Sequence, residues 1–161
     1  MKVPIYRLKL IKDRTMAVSD RVLDKPFAVA RFIERWVGTA DREHLVAICL
    51  DAECRIIGAH VVAVGSIDHA HTTGREVFKA AIIANAHGLI LGHNHPSGSL
   101  DPSKSDIRTT KKLIYLGTML GICVLDHVIV SRNGFRSMHE MGLIPTPSKT
   151  SDDEKCGGVN S

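Results

Sequence analysis

The sequence predicts a mixed α/β domain, a central sheet with helices around it. Three observations carry that expectation. Short apolar runs of strand length recur, among them "LVAICL", "LILGH" and "CVLDHVIV". Helical periodicities bracketed by capping residues, prolines and glycines lie between them. Asn133-Gly134 is a strong hairpin signal near the end. With 161 residues, 44% hydrophobic and 24% charged, the chain has the size and composition of one domain able to bury its own core.

Taken in order, "VPIYRLKLI" reads as a strand within a basic N-terminal segment spanning residues 1–23. Asp24-Lys25-Pro26 places a capping residue before a proline and opens an amphipathic helix carrying Phe27, Ala30, Ile33, Trp36 and Val37, closed by Gly38. "EHLVAICLDAECRIIGAHVVAVGS" reads as two β-rich runs joined by the polar link Asp51–Glu53, a hairpin. Thr73 followed by Glu76 has capping-box spacing and starts a helix through "REVFKAAIIANAHG" to Gly88. "LILGH" is a buried strand stopped by Pro96. Ser103 begins a helix through Leu113, Ile114 and Met119 that Gly121 breaks, and "CVLDHVIV" is a further strand, with "FRSM" returning after Asn133-Gly134. The domain so defined covers residues 24–144. The remainder, 145–161, is polar and rich in Pro, Gly and Ser, the composition of a disordered tail.

Bulk properties exclude several classes. The longest apolar runs are far too short to span a bilayer, and the N-terminus carries charges where a signal peptide needs its apolar stretch, so a cytoplasmic protein without membrane contact is expected. Four cysteines without a CxxC make neither a disulfide framework nor a cysteine zinc site, and Cys123 reads as a core residue. The net charge of +4 owes much to Lys2, Arg7, Lys9, Lys12 and Arg14, an edge that leaves room for nucleic acid but reads more simply as a solvated face.

The stretch that carries chemistry is "GHNHPSGSLDPSKSD", residues 92–106. In a strand, residues i and i+2 face the same side about 6.6 Å apart, so His93 and His95 can converge on one ion. Asp106 falls in the first turn of the next helix, where a loop of this length can fold it back. Two imidazoles and a carboxylate suit zinc with one open position, the donor set of a hydrolytic site. Ser103 and Asp106 also stand at capping-box spacing, which offers Asp106 a purely structural role. The letters His93-Asn94-His95 do not make an HNH nuclease, whose residues are spread over a ββα unit. Pro96-Ser97-Gly98 stands where metallo-β-lactamase-type sites need an acidic residue and another histidine. His127 reads as a strand residue lining the core near Asp126; His60, His69 and His71 read as surface residues.

His93-x-His95, seven residues, Ser103, two residues, Asp106 resembles the JAMM (MPN⁺, JAB) metalloprotease pattern. With "VLDHVIV" downstream and "EHLVAICLD" and "VGSI" upstream, residues 24–144 are similar to the RadC branch of JAB domains. The resemblance implies a single JAB/MPN-type α/β (α+β) domain with a mixed central sheet flanked by helices in cytidine-deaminase-like layers. It implies one Zn²⁺ per chain on His93, His95 and Asp106. It further implies a general base at the entrance of an early strand, the place Glu43 occupies, with Glu53 and Glu76 as weaker rivals, and an oxyanion donor at Ser103. Two departures stand out: Thr73-Gly74 precede Arg75 where RadC proteins often carry His-Pro, and the helix-hairpin-helix module of longer members has no counterpart.

The expected function is therefore a zinc-dependent metallopeptidase-like hydrolase acting on a peptide or isopeptide bond, with a peptide or protein as substrate. Two alternatives stand beside it, an inactive MPN interaction module and a DNA-repair-associated accessory protein. The latter lacks any nucleic-acid recognition motif and, with 4% aromatic residues, a stacking platform.

Overall fold

A computed structural model describes residues 1–19, 21–65 and 72–145. The chain runs α1 (Pro26–Val37), β1 (His44–Leu50), β2 (Ile56–Val64), α2 (Gly74–Ile83), β3 (Gly88–Asn94), α3 (Lys104–Leu120), β4 (Cys123–Ser131) and β5 (Gly134–Ser137). The strands form one mixed sheet in the order β2-β1-β3-β4-β5. β3 and β4 are parallel, joined through α3, and the other neighbours are antiparallel. Six of the seven β1 residues and all seven of β3 are buried, whereas β2, at an edge, alternates. That is why β1 and β3 read as continuous apolar runs: both of their faces are covered.

Two apolar clusters flank the sheet. On one face Val29, Ala30, Ile33 and Val37 of α1 pack on Val46, Ile48, Ile90, Val128 and Val130. On the other, Val77, Phe78 and Ala81 of α2 and Leu113 of α3 pack on Ala47, Cys49, Leu89, Leu91 and Val124. Helix α1 comes so near β3 that a Cβ on Gly92 would lie 2.2 Å from Ile33 Cδ1. Among the described residues no helix is long and apolar enough to cross a membrane.

The elements differ from expectation in three places. Residues 3–11 form no strand, and Ile5, Tyr6, Leu8 and Ile11 are exposed. Alternating apolar residues specify a strand only when a partner edge accepts them, and here only Val22, further on, makes an isolated bridge to Arg55. The cap of α1 is Lys25, with no side-chain bond, so Pro26 rather than Asp24 sets the helix start. Helix α2 stops at Ile83 because Asn85 adopts a left-handed φ of 52°. The amides of Asn85 and Ala86 then close on Ile82 O and Ala81 O, a Schellman end, and Gly88 opens β3 instead of ending α2. Cys123, expected in the core, is half-buried at the start of β4. His69, His71 and the tail beyond residue 145 lie outside the described residues.

Candidate metal centre

The site forms where β3 ends on the α3 side of the sheet. His93 is the penultimate residue of β3, and His95 continues its line, its amide donating to Val130 O of β4 at 2.8 Å. The next four residues turn sharply. Gly98 N–H donates to His95 O at 3.1 Å, with Pro96 in the second position of the turn, where its fixed φ fits. Gly98 O is in turn held by Asn133 Nδ2 at 2.8 Å and by the Ser131 hydroxyl at 3.2 Å, which anchors the loop to the β4–β5 turn. This fold-back brings Ser99 O to 3.0 Å from His95 Nδ1.

Asp106 enters from the first turn of α3. Its Oδ2 accepts the Ser103 amide at 2.7 Å while Ser103 Oγ accepts the Asp106 amide at 3.1 Å, a reciprocal capping box. The same Oδ2 lies 3.8 Å from His93 Nε2 and 3.9 Å from His95 Nε2. The structural and the ligand readings of Asp106 thus coexist, because a carboxylate oxygen has lone pairs enough for an amide and an ion. The box leaves the proton of the exposed Ser103 hydroxyl free to donate outward.

His93, His95 and Asp106 are all buried, with donor atoms within 4.8 Å of one another. The two Nε2 atoms stand 2.7 Å apart. Two imidazole nitrogens and a carboxylate oxygen converging in a buried space suit a cation among them. A proton is a poor one: burial, reinforced by neighbouring His95 and opposed by the Asp106 carboxylate, pushes the His93 ring down to about 4, from an ordinary 6.5. Burial, then His93 and His95, likewise holds His127 well below the usual histidine range. Neutral rings are what a metal requires. Two donors at roughly 2.0–2.1 Å on a tetrahedral zinc would sit about 3.3 Å apart, so a small outward rotation of the rings fits the donor set to an ion. The His-His-Asp group could therefore hold a metal.

Glu43 immediately precedes β1 and is half-buried. The β1–β3 register ends with Leu45 opposite His93; carried two residues further, past the ends of both strands, it would bring Glu43 near His95, on the face that carries both histidines. Asn94, between them, fixes this edge: its Oδ1 accepts the His44 amide at 2.8 Å and its Nδ2 donates to Arg42 O at 3.0 Å, the backbone on either side of Glu43. The rivals are engaged elsewhere. Glu53 pairs with Arg55 at 2.6 Å in the β1–β2 turn, at the opposite end of β1, and Glu76 pairs with Lys79 on α2.

The sequence reading understated His127. Its amide bonds Asp126 Oδ1 at 2.7 Å, as its neighbourhood suggested, but its ring is buried directly behind the site, against His93. Thr110, which touches that ring, drew no attention at all. The usable signals were positional: Thr110 is one helical turn from Asp106, and His127 pairs with Leu91, so it shares the face of His93. His60 is half-buried with Nε2 3.1 Å from Glu76 O, not on the open surface.

A mixed five-stranded sheet with a buried histidine pair at the end of an inner strand and a carboxylate from the following helix defines a class, an α/β domain built around a candidate cation site. Within that class the chain belongs to the RadC-like JAB domain family, whose model matches residues 23–143. It is similar to proteins described as UPF0758 proteins. That of Finegoldia magna is 45% identical over 118 residues, 73% of this chain and 53% of the relative. That of Thermotoga maritima is 42% identical over 120 residues, 74% and 54%. That of Methanococcoides burtonii is 45% identical over 103 residues, 64% and 45%. The chain thus spans about half the length of these relatives.

Proposed function

We propose that the chain is a zinc-dependent hydrolase of the JAMM type, cleaving a peptide or isopeptide bond in a peptide or protein substrate. The observation that carries the reading is the convergence of two histidine Nε2 atoms, 2.7 Å apart, with the Asp106 carboxylate in one buried pocket. His93, His95 and Asp106 would hold one Zn²⁺ per chain. When bound, zinc supplies Lewis acidity that can bring the pKa of a water far down, to about 7.

The remaining work falls to the chain's own residues. Glu43, whose flanking backbone Asn94 holds at His44 N and Arg42 O, takes a proton from the attacking water and hands it to the leaving amine. Ser103, whose hydroxyl proton is not consumed by the capping box, donates to the oxyanion as the carbonyl carbon becomes tetrahedral. Loss of such a donor typically costs about 10²–10³ in rate. Ser103 is exposed, whereas His93 is fully enclosed.

Glu43→Gln tests this most directly, on zinc-loaded protein with a peptide library as substrate pool. It should leave zinc content and thermal midpoint unchanged while lowering hydrolysis by roughly 10²–10⁴-fold. Full activity in the variant would remove Glu43 from the mechanism. A wild-type protein that holds zinc stoichiometrically but cleaves nothing would instead favour an inactive interaction module.

A further inference from the structure

One donor of the buried cluster is held from behind by a chain of hydrogen bonds that the proposed chemistry does not use. His93 Nδ1 lies 2.8 Å from His127 Nε2 on β4, and His127 Nδ1 lies 2.6 Å from Thr110 Oγ1 on α3. That hydroxyl stands 2.7 Å from the backbone oxygen of Asp106, one turn earlier. His93, Thr110 and His127 are at most 1% exposed, so bulk water does not replace a missing partner.

The last member fixes the direction of the whole chain. A carbonyl oxygen only accepts, so the single proton of the Thr110 hydroxyl points at Asp106 O. Were it turned to His127, two oxygens would oppose their lone pairs at 2.7 Å in a buried place. Met138 Sδ, at 3.8 Å, is too weak an acceptor to compete. The hydroxyl must therefore accept from His127 Nδ1–H. His127 Nε2 is left as an acceptor, and His93 donates to it through Nδ1–H. The bare Nε2 of His93 then faces His95 and Asp106. His95 donates Nδ1–H to Ser99 O, so its Nε2 is bare as well, and the two lone pairs opposed at 2.7 Å are what a cation between the rings would relieve.

We propose that His127 and Thr110 are positioning residues that lock His93 in its Nδ1–H tautomer, so that Nε2 is presented to the cation site. The proposal rests on the metal reading for what that nitrogen meets. It gives Asp106 two duties, a side chain that faces the ion and a carbonyl that orients a second donor through two intermediaries.

The test combines zinc titration against a competing chelator with ¹⁵N NMR of the histidine rings, on wild type, Thr110→Val and Thr110→Ser, with thermal midpoints alongside. Removing the hydroxyl should weaken zinc binding by roughly 10–100-fold and mix the ring tautomers, and the Ser variant should restore both. Unchanged zinc affinity with unchanged ring signals in Thr110→Val would overturn the proposal. If wild type takes up no zinc, the metal reading falls, and the metal-free rings still decide the relay: Nδ1–H on His127 upholds it, Nε2–H refutes it. The same wild-type spectrum decides should Thr110→Val fail to fold.

Discussion

Asp106→Asn separates two roles that one side chain performs at once. An asparagine carbonyl can still accept the Ser103 amide that Oδ2 now accepts at 2.7 Å, and the Ser103 Oγ bond to the residue-106 amide is untouched. Helix α3 should lose only the charge at its N-terminal turn, worth about 0.3–1 kcal/mol. The cation site loses far more. Structural zinc sites bind with about 10–16 kcal/mol, so an equal share among four donors is roughly 3 kcal/mol, or about 10²-fold in affinity. Zinc competition titration should therefore show a drop on the order of 10²-fold, while urea unfolding of the metal-free protein stays within about 1 kcal/mol of wild type. His93→Ala with His95→Ala, which removes both imidazoles, sets the floor of the assay. Wild-type affinity in the Asn variant would refute the ligand role and return Asp106 to capping alone. A large loss of metal-free stability would show that the box tolerates no amide.

Acid should destabilise the metal-free protein through His93. Its folded value of about 4 lies below the ordinary 6.5, so the unfolded chain takes up the proton first. Stability present above pH 6.5 is lost as pH falls toward 4, by up to about 3 kcal/mol at 1.36 kcal/mol per unit. Urea midpoints at pH 7 and 4.5 for wild type and His93→Asn would measure it, and identical pH dependence in the two would contradict it. Gly92→Ala should cost about 1–3 kcal/mol, because its new Cβ meets Ile33 Cδ1 at 2.2 Å. Ile33→Val, which deletes that methyl, should recover part of the loss in the double variant, and strict additivity of the two changes would argue against a direct clash.

The inner strands were legible because burial on both faces makes "HLVAICL" and "GLILGHN" continuous apolar runs. The three candidate ligands were legible for a different reason: they are local, held within one strand end, one loop and one helical turn. What misled was context. Residues 3–11 carry a strand's alternation but meet no partner edge, and Asn85 ended α2 in a backbone state that glycine more often takes. His127 stayed obscure because its contacts join residues 34 and 17 positions apart, a proximity that only the β3–α3–β4 pairing creates. Glu43 rests on resemblance, since the β1–β3 pairing ends at Leu45 and His93, short of it.

The alternation of β3 assigns neighbouring residues to separate tasks. His93 and His95 face the candidate cation site while Asn94, between them, ties down the backbone around position 43. Cation capture and the placement of the proposed base are thereby genetically separable, though they are encoded within three consecutive codons. On the proposed reading, a lineage that exchanged Glu43 would keep the candidate ligands and lose only the base. If the proposed hydrolase reading holds, one substitution separates a catalyst from a scaffold, and the reverse change is just as short.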